Sequence, residues 1–91
     1  MSESDKTMFE IYREASYNRR YKVVYFTELN EYNKETEINR AMAGDHFFDG
    51  FLNGVCKDEA KAIIDHALLR LNNGEQVRPD ELERELSGYL A

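Results

Sequence analysis

Apolar and polar positions alternate along the first part of the chain, then recur at helical spacing in the second. "YKVVYFTEL" (21–29) is the plainest strand signal, because its residues are β-branched or aromatic almost throughout. Tyr21, Val23, Tyr25 and Thr27 would share one face, and Lys22, Val24, Phe26 and Glu28 the other. "MFEIYRE" (8–14) gives two conflicting signals. Met8, Ile11, Tyr12 and Ala15 fit a helix, and Thr7 with Glu10 would make a capping box. Phe9, Ile11 and Tyr12 favour a strand, and a strand partner follows at once, so the strand reading is preferred. The polar "ASYNRR" (15–20) between the two runs suits a hairpin loop.

"NKETEINRAMAG" (33–44) reads as a helix. Asn33 is placed to cap it, Glu35 and Glu37 stand near its positive end, and Gly44 sits where a C-terminal glycine belongs. "HFFDGFL" (46–52) then reads as a third strand between turn signals at Gly44-Asp45 and Asn53-Gly54, with Gly50 marking a bulge or a close approach. The strongest helical signal is 58–72. Ala60, Ile63, Ile64, Ala67, Leu68 and Leu71 keep one stripe over three turns, and Asn73-Gly74 ends it. Burying that stripe contributes about 10 kcal/mol before chain entropy is subtracted. A last helix starts near Pro79, with Leu82, Leu86, Tyr89 and Leu90 as its apolar side.

The order β-β-α-β-α-α predicts an α+β fold: a small three-stranded mixed sheet with helices packed mainly on one face. A crossover through 33–44 would set strand three parallel to strand two and beside strand one. Residues 1–7 are expected as a disordered tail and 8–91 as a single domain, as befits 91 residues.

Charge narrows the function. The net charge is −6, and residues 1–30 balance, with five acids against five bases, so the whole excess lies in 31–91. An acidic surface repels phosphate, which argues against nucleic acid as a partner. No apolar run reaches the roughly 18 residues of a membrane span, and the start lacks the pattern of a signal peptide. With Cys56 alone there is no internal disulfide, so the expected setting is the cytoplasm.

Few residues suggest chemistry. Zinc would require His46, His66 and Cys56 to meet, and along a regular strand His46 and Asp49 point to opposite faces. Asp65 and His66, adjacent on a helix, diverge. Cys56 precedes a helix, where a thiol pKa falls, but no base is placed beside it. The acids Glu31, Glu35 and Glu37 around Tyr32 read as a solvated helix face. The glycines form neither GxGxxG nor GxxxxGK[ST], and GxSxG is absent. No cofactor, metal or catalytic residue is implied.

Strand two is apolar on both sides, and strands of that kind expect cover on both. Three short helices leave part of one face for another chain. The resulting expectation is an accessory or interaction module that self-associates, as a homodimer, or binds a protein partner. Its candidate contacts are Tyr21, Val23, Tyr25, Phe47, Phe48 and Phe51. One alternative is a small enzyme or ligand binder with a pocket near 45–56. Another is weak single-stranded nucleic-acid binding through the 16–22 loop, by Tyr17, Arg19 and Arg20.

Overall fold

A computed structural model describes residues 6–15, 19–26, 31–54 and 57–91, with backbone alone for 31–33. Tyr17 and Cys56 lie outside the described residues. The elements are β1 (Thr7–Arg13), β2 (Tyr21–Tyr25), α1 (Glu31–Ala43), β3 (Asp45–Leu52), α2 (Lys57–Asn72) and α3 (Pro79–Glu85). The chain is therefore an α+β fold in the expected order β-β-α-β-α-α.

The strands form one sheet in the order β2-β1-β3. β1 is antiparallel to both neighbours, with Phe9 opposite Tyr25 on one side and Gly50 on the other. β3 thus runs parallel to β2 and pairs beside β1, as a crossover through α1 requires. Because the two like-directed strands never touch, every hydrogen-bonded ladder is antiparallel rather than mixed. β1 starts one residue before the expected boundary, at Thr7, which is buried opposite Leu52. β2 ends at Tyr25, with Phe26 outside it, and the expected 27–29 lie outside the described residues. α1 begins at Glu31, so Asn33 lies inside its first turn instead of capping it.

One face of the sheet, face A, carries Phe9, Ile11, Val23, Tyr25 and Phe48 and is covered by α2 and α3. There Phe9, Ile11 and Leu52 join Ala60, Ile64, Ala67, Leu82 and Leu86 in the main core. The opposite face, face B, receives α1, whose Ala41 packs with Tyr12 and Val24, flanked by Phe26. α2 and α3 thus share face A, the main cover expected, and α1 lies on face B. The end of β2 and the start of β3 lie at opposite ends of β1, so α1 must return across the sheet and covers face B as it does so.

Two glycines fix the ends of these helices. Gly44 was expected as a left-handed cap, but its φ is not positive. It is needed for closeness: a Cβ there would run into the carbonyl oxygen of Arg13 and lie 2.9 Å from Cδ2 of Tyr12. Gly74 is the left-handed residue, with φ 91°. Its N–H donates to Leu71 O and that of Glu75 to Arg70 O, the paired bonds of a Schellman end. The Arg70 guanidinium then reaches both Glu75 and Glu81, joining α2, the turn and α3.

The C-terminal stripe behaves differently from a helix. α3 ends at Glu85, with Pro79 at its first turn. Leu86 stays in the core, while Leu90 bridges to Leu52 in antiparallel fashion. Asn53 N–H donates to Tyr89 O at 2.7 Å, and Ala91 N–H donates to Phe51 O at 2.8 Å. The chain's last residues thereby begin a fourth, very short strand along the outer edge of β3.

Candidate functional site

The register of β3 shifts once. Ile11 faces Phe48, but Tyr12 faces His46, leaving Phe47 as an extra residue. Gly50, expected to mark a bulge or a close approach, marks neither: it pairs in regular register with Phe9, and an added Cβ would make ordinary contacts with Phe9 and with Leu90 Cδ2 at 3.5 Å. The bulge at Phe47 has two consequences. Consecutive phenylalanines both turn to face A: Phe48 stacks on Phe9 at 5.9 Å, and Phe47 meets the Tyr21 ring edge-on at 5.8 Å. His46 and Asp49, three apart, come to the same face of the sheet, where regular alternation would separate them.

Face B of β3 therefore presents His46, Asp49 and Phe51 in a row, against Tyr12, Glu10 and Met8 of β1. Nδ1 of His46 lies 3.2 Å from Oε2 of Glu10. Asp49 is exposed and has no ion partner among the described residues. Tyr12 is buried beneath α1. Burial pushes its hydroxyl above the ordinary pKa of 10.0, the carboxylates of Glu37, Glu14 and Glu10 push the same way, and Arg40 opposes them. At the other end of the row Phe51 remains 49% exposed, with half-buried Met8 directly across.

Most of the contact residues expected from the sequence turn inward. Val23, Tyr25, Phe47 and Phe48 pack against the main core. Lys61 of α2 places its ammonium 4.6 Å from the centre of the Tyr25 ring. Tyr21 is held by Asn72 at the end of α2: its N–H donates to Asn72 Oδ1 at 2.8 Å, and Asn72 Nδ2 donates back to its carbonyl at 3.1 Å. The side chain of Asn72 acts as one residue of a missing strand and closes that end of the β2 edge. With α1 on one side and α2 on the other, Val23, Val24, Tyr25 and Phe26 find cover within the chain. Of the six candidates, Phe51 alone stands in solvent.

Of the 16–22 loop, the described part around Arg19 is engaged internally. Arg13 Nε donates to Arg19 O at 3.0 Å, and the Arg19 guanidinium donates to Asp45 at 2.9 Å. Arg19 holds this position with a left-handed φ of 49°, uncommon for a side-chain-bearing residue. Arg20 is exposed, and its carbonyl accepts from Glu14 N–H. His66 is exposed on α2, on the face A side, so the sheet lies between it and His46. Among the described residues no group of three or more His, Cys, Asp or Glu converges as metal ligands do. Glu35 is exposed and Glu37 pairs with Arg40 at 3.2 Å. Among the described residues no helix is long and apolar enough to cross a membrane.

Asn72 and the C-terminal bridge were not foreseen. An asparagine at the end of a helix signals a cap, and its reach to a strand 51 positions away in sequence leaves no local trace. No protein-family model, curated protein or solved structure matches the chain.

Proposed function

We propose that this chain is an accessory domain that acts by protein–protein contact, with Phe51 of β3 at the centre of the contact. One observation carries the reading. Of the five phenylalanines, Phe9, Phe26, Phe47 and Phe48 pack inward, while Phe51 stands half exposed on an edge strand. A lone exposed apolar side chain is commonplace. Phe51 differs in having Met8 directly across the ladder, which makes an apolar end to an otherwise polar row. Of the contacts read from the sequence, the proposal keeps this one and leaves Tyr21, Val23, Tyr25, Phe47 and Phe48 to the fold.

The test has two readouts. Sedimentation velocity of the wild type and Phe51→Ser measures contact between copies. A photo-crosslinking residue placed at Phe51, and separately at Leu69, measures contact with other proteins in cells. Leu69 is the control because it is 59% exposed on α2, away from face B. The expected result is association or adduct formation that depends on position 51. A wild type monomeric at all concentrations, with adducts no more abundant at 51 than at 69, would refute the proposal.

A further inference from the structure

We propose that the outer edge of β3, from Asp45 to Gly50, binds an extended segment of another protein, added antiparallel to β3 and carrying a lysine or arginine opposite Asp49. The inference rests on the chain being an interaction domain, and it names the partner's chemistry and mode of binding. The edge already accepts a strand: Tyr89 to Ala91 pair antiparallel to its last residues, through Asn53 N–H to Tyr89 O and Ala91 N–H to Phe51 O. These bonds show that the main-chain groups of Phe51 and Asn53 face away from β1. Alternation places the N–H and C=O of Asp49 on the same outer side, where no described residue bonds them. The β2 edge is treated differently, because Asn72 occupies both main-chain groups of Tyr21. One edge is thus closed at its start, while the other stays open upstream of the C-terminal bridge.

Charge selects the occupant. Asp45 is ion-paired with Arg19 and Glu10 lies 3.2 Å from His46 Nδ1, whereas exposed Asp49 has no partner among the described residues. A second copy, pairing β3 with β3 in the register centred on Asp49, would bring Asp49 toward Asp49 on chains of net charge −6. Like charges across a ladder destabilise it, and opposite charges support it. A foreign strand with basic residues along the side that meets Asp49 satisfies both the open backbone and the charge beside it.

The probes are two synthetic peptides of about ten residues, one alternating valine with lysine and the other valine with glutamate. They are added to the full chain and followed by amide exchange in NMR. The lysine peptide is expected to bind and to slow exchange at the Asp49 amide, and the glutamate peptide to bind much more weakly. Asp49→Asn should weaken the lysine peptide by about threefold, from the loss of one cross-strand charge pair. Asp49→Pro removes an outward N–H without touching the β1–β3 ladder, so the chain should fold and binding should be lost. Equal binding of the two peptides, binding that survives Asp49→Pro, or no peptide effect on the Asp49 amide at millimolar concentration would each overturn the proposal. Contact through Phe51 is decided separately, by the position dependence of crosslinking at 51.

Discussion

Glycine-to-alanine substitution adds the same methyl group at each site, so the structure must account for any difference between sites. At Gly44 the new Cβ meets the backbone carbonyl of Arg13 and the Tyr12 ring, and a main-chain oxygen cannot rotate away as a side-chain end can. The junction between α1 and β3 would have to lift from β1. Overpacking of this kind costs about 3 kcal/mol. At Gly74 nothing lies within 4 Å, but φ is 91°, so the cost is conformational, about 1 kcal/mol. At Gly50 the nearest atoms are Phe9 Cε1 at 3.4 Å and Leu90 Cδ2 at 3.5 Å, ordinary contacts, and the change should stay within about 0.5 kcal/mol. Gly88 has open space and no positive φ, so alanine there should stabilise by about 0.4–1 kcal/mol through the unfolded chain.

Urea unfolding followed by far-UV circular dichroism reads the series. With m of roughly 1 kcal/mol/M for a small domain, Gly44→Ala should lower the midpoint by about 3 M and Gly88→Ala should raise it slightly. A domain of this size has roughly 5–13 kcal/mol in total, so the first change is a large fraction of its stability. The predicted order from most to least stable is Gly88→Ala, Gly50→Ala, Gly74→Ala, Gly44→Ala. A Gly44→Ala midpoint within half a molar of that for Gly88→Ala would refute the seating of the α1–β3 junction on Arg13.

The sequence was most informative where one periodicity ran without competition. The stripe from Ala60 to Leu71 could only be a helix over a sheet, and its buried members are Ala60, Ile64, Ala67 and Leu71. The three strands, the crossover and the neighbour of β3 also follow from pattern and connectivity. The cover of strand two departs from expectation for a physical reason. The apolar face of α1 is narrow, so it looked too small to shield a sheet. Face B needs little shielding, because Glu10, Lys22, His46 and Asp49 are polar; α1 lids Tyr12, Val24 and Phe26, and Met8 and Phe51 stand at the far end. Alternation read along one strand shows what that strand carries, and the register of all three decides how much apolar surface a face presents.

The candidate site was less legible, because one bulged residue changed its composition. With strict alternation Phe47 would lie on the face opposite Phe48, and His46 opposite Asp49. The extra residue between the Ile11–Phe48 and Tyr12–His46 pairs reverses both assignments. Nothing in "HFFDGFL" marks Phe47 as the bulged position, since the decision is made by packing against Phe9 and Tyr21, far away in sequence. The same holds for the β3 edge. Leu90 looked like the last apolar position of a helix, and its place opposite Leu52 became visible only once α3 stopped at Glu85.

Two further substitutions test the contacts that hold this arrangement. Asn72→Ala removes both bonds to the Tyr21 main chain and should cost about 1–3 kcal/mol in urea unfolding; no change would mean that the β2 edge does not depend on that amide. It should also raise aggregation, seen by light scattering, because the β2 edge loses its cover. The last prediction concerns alkaline pH. Burial, then the carboxylates around it, raises the Tyr12 hydroxyl above its ordinary 10.0, so the folded chain holds that proton more tightly than the unfolded chain does. The resulting stabilisation is complete below pH 10 and is lost as pH climbs through the raised folded value, because in that window the unfolded chain has released the proton that the folded chain still holds. Stability should therefore fall above pH 10 in the wild type, and Tyr12→Phe, which keeps the ring under α1 and has nothing to ionise, should fall less. Tyrosinate absorbance and circular dichroism recorded together separate the two events. If both proteins lose structure along the same alkaline curve, Tyr12 is not the group whose ionisation loosens face B.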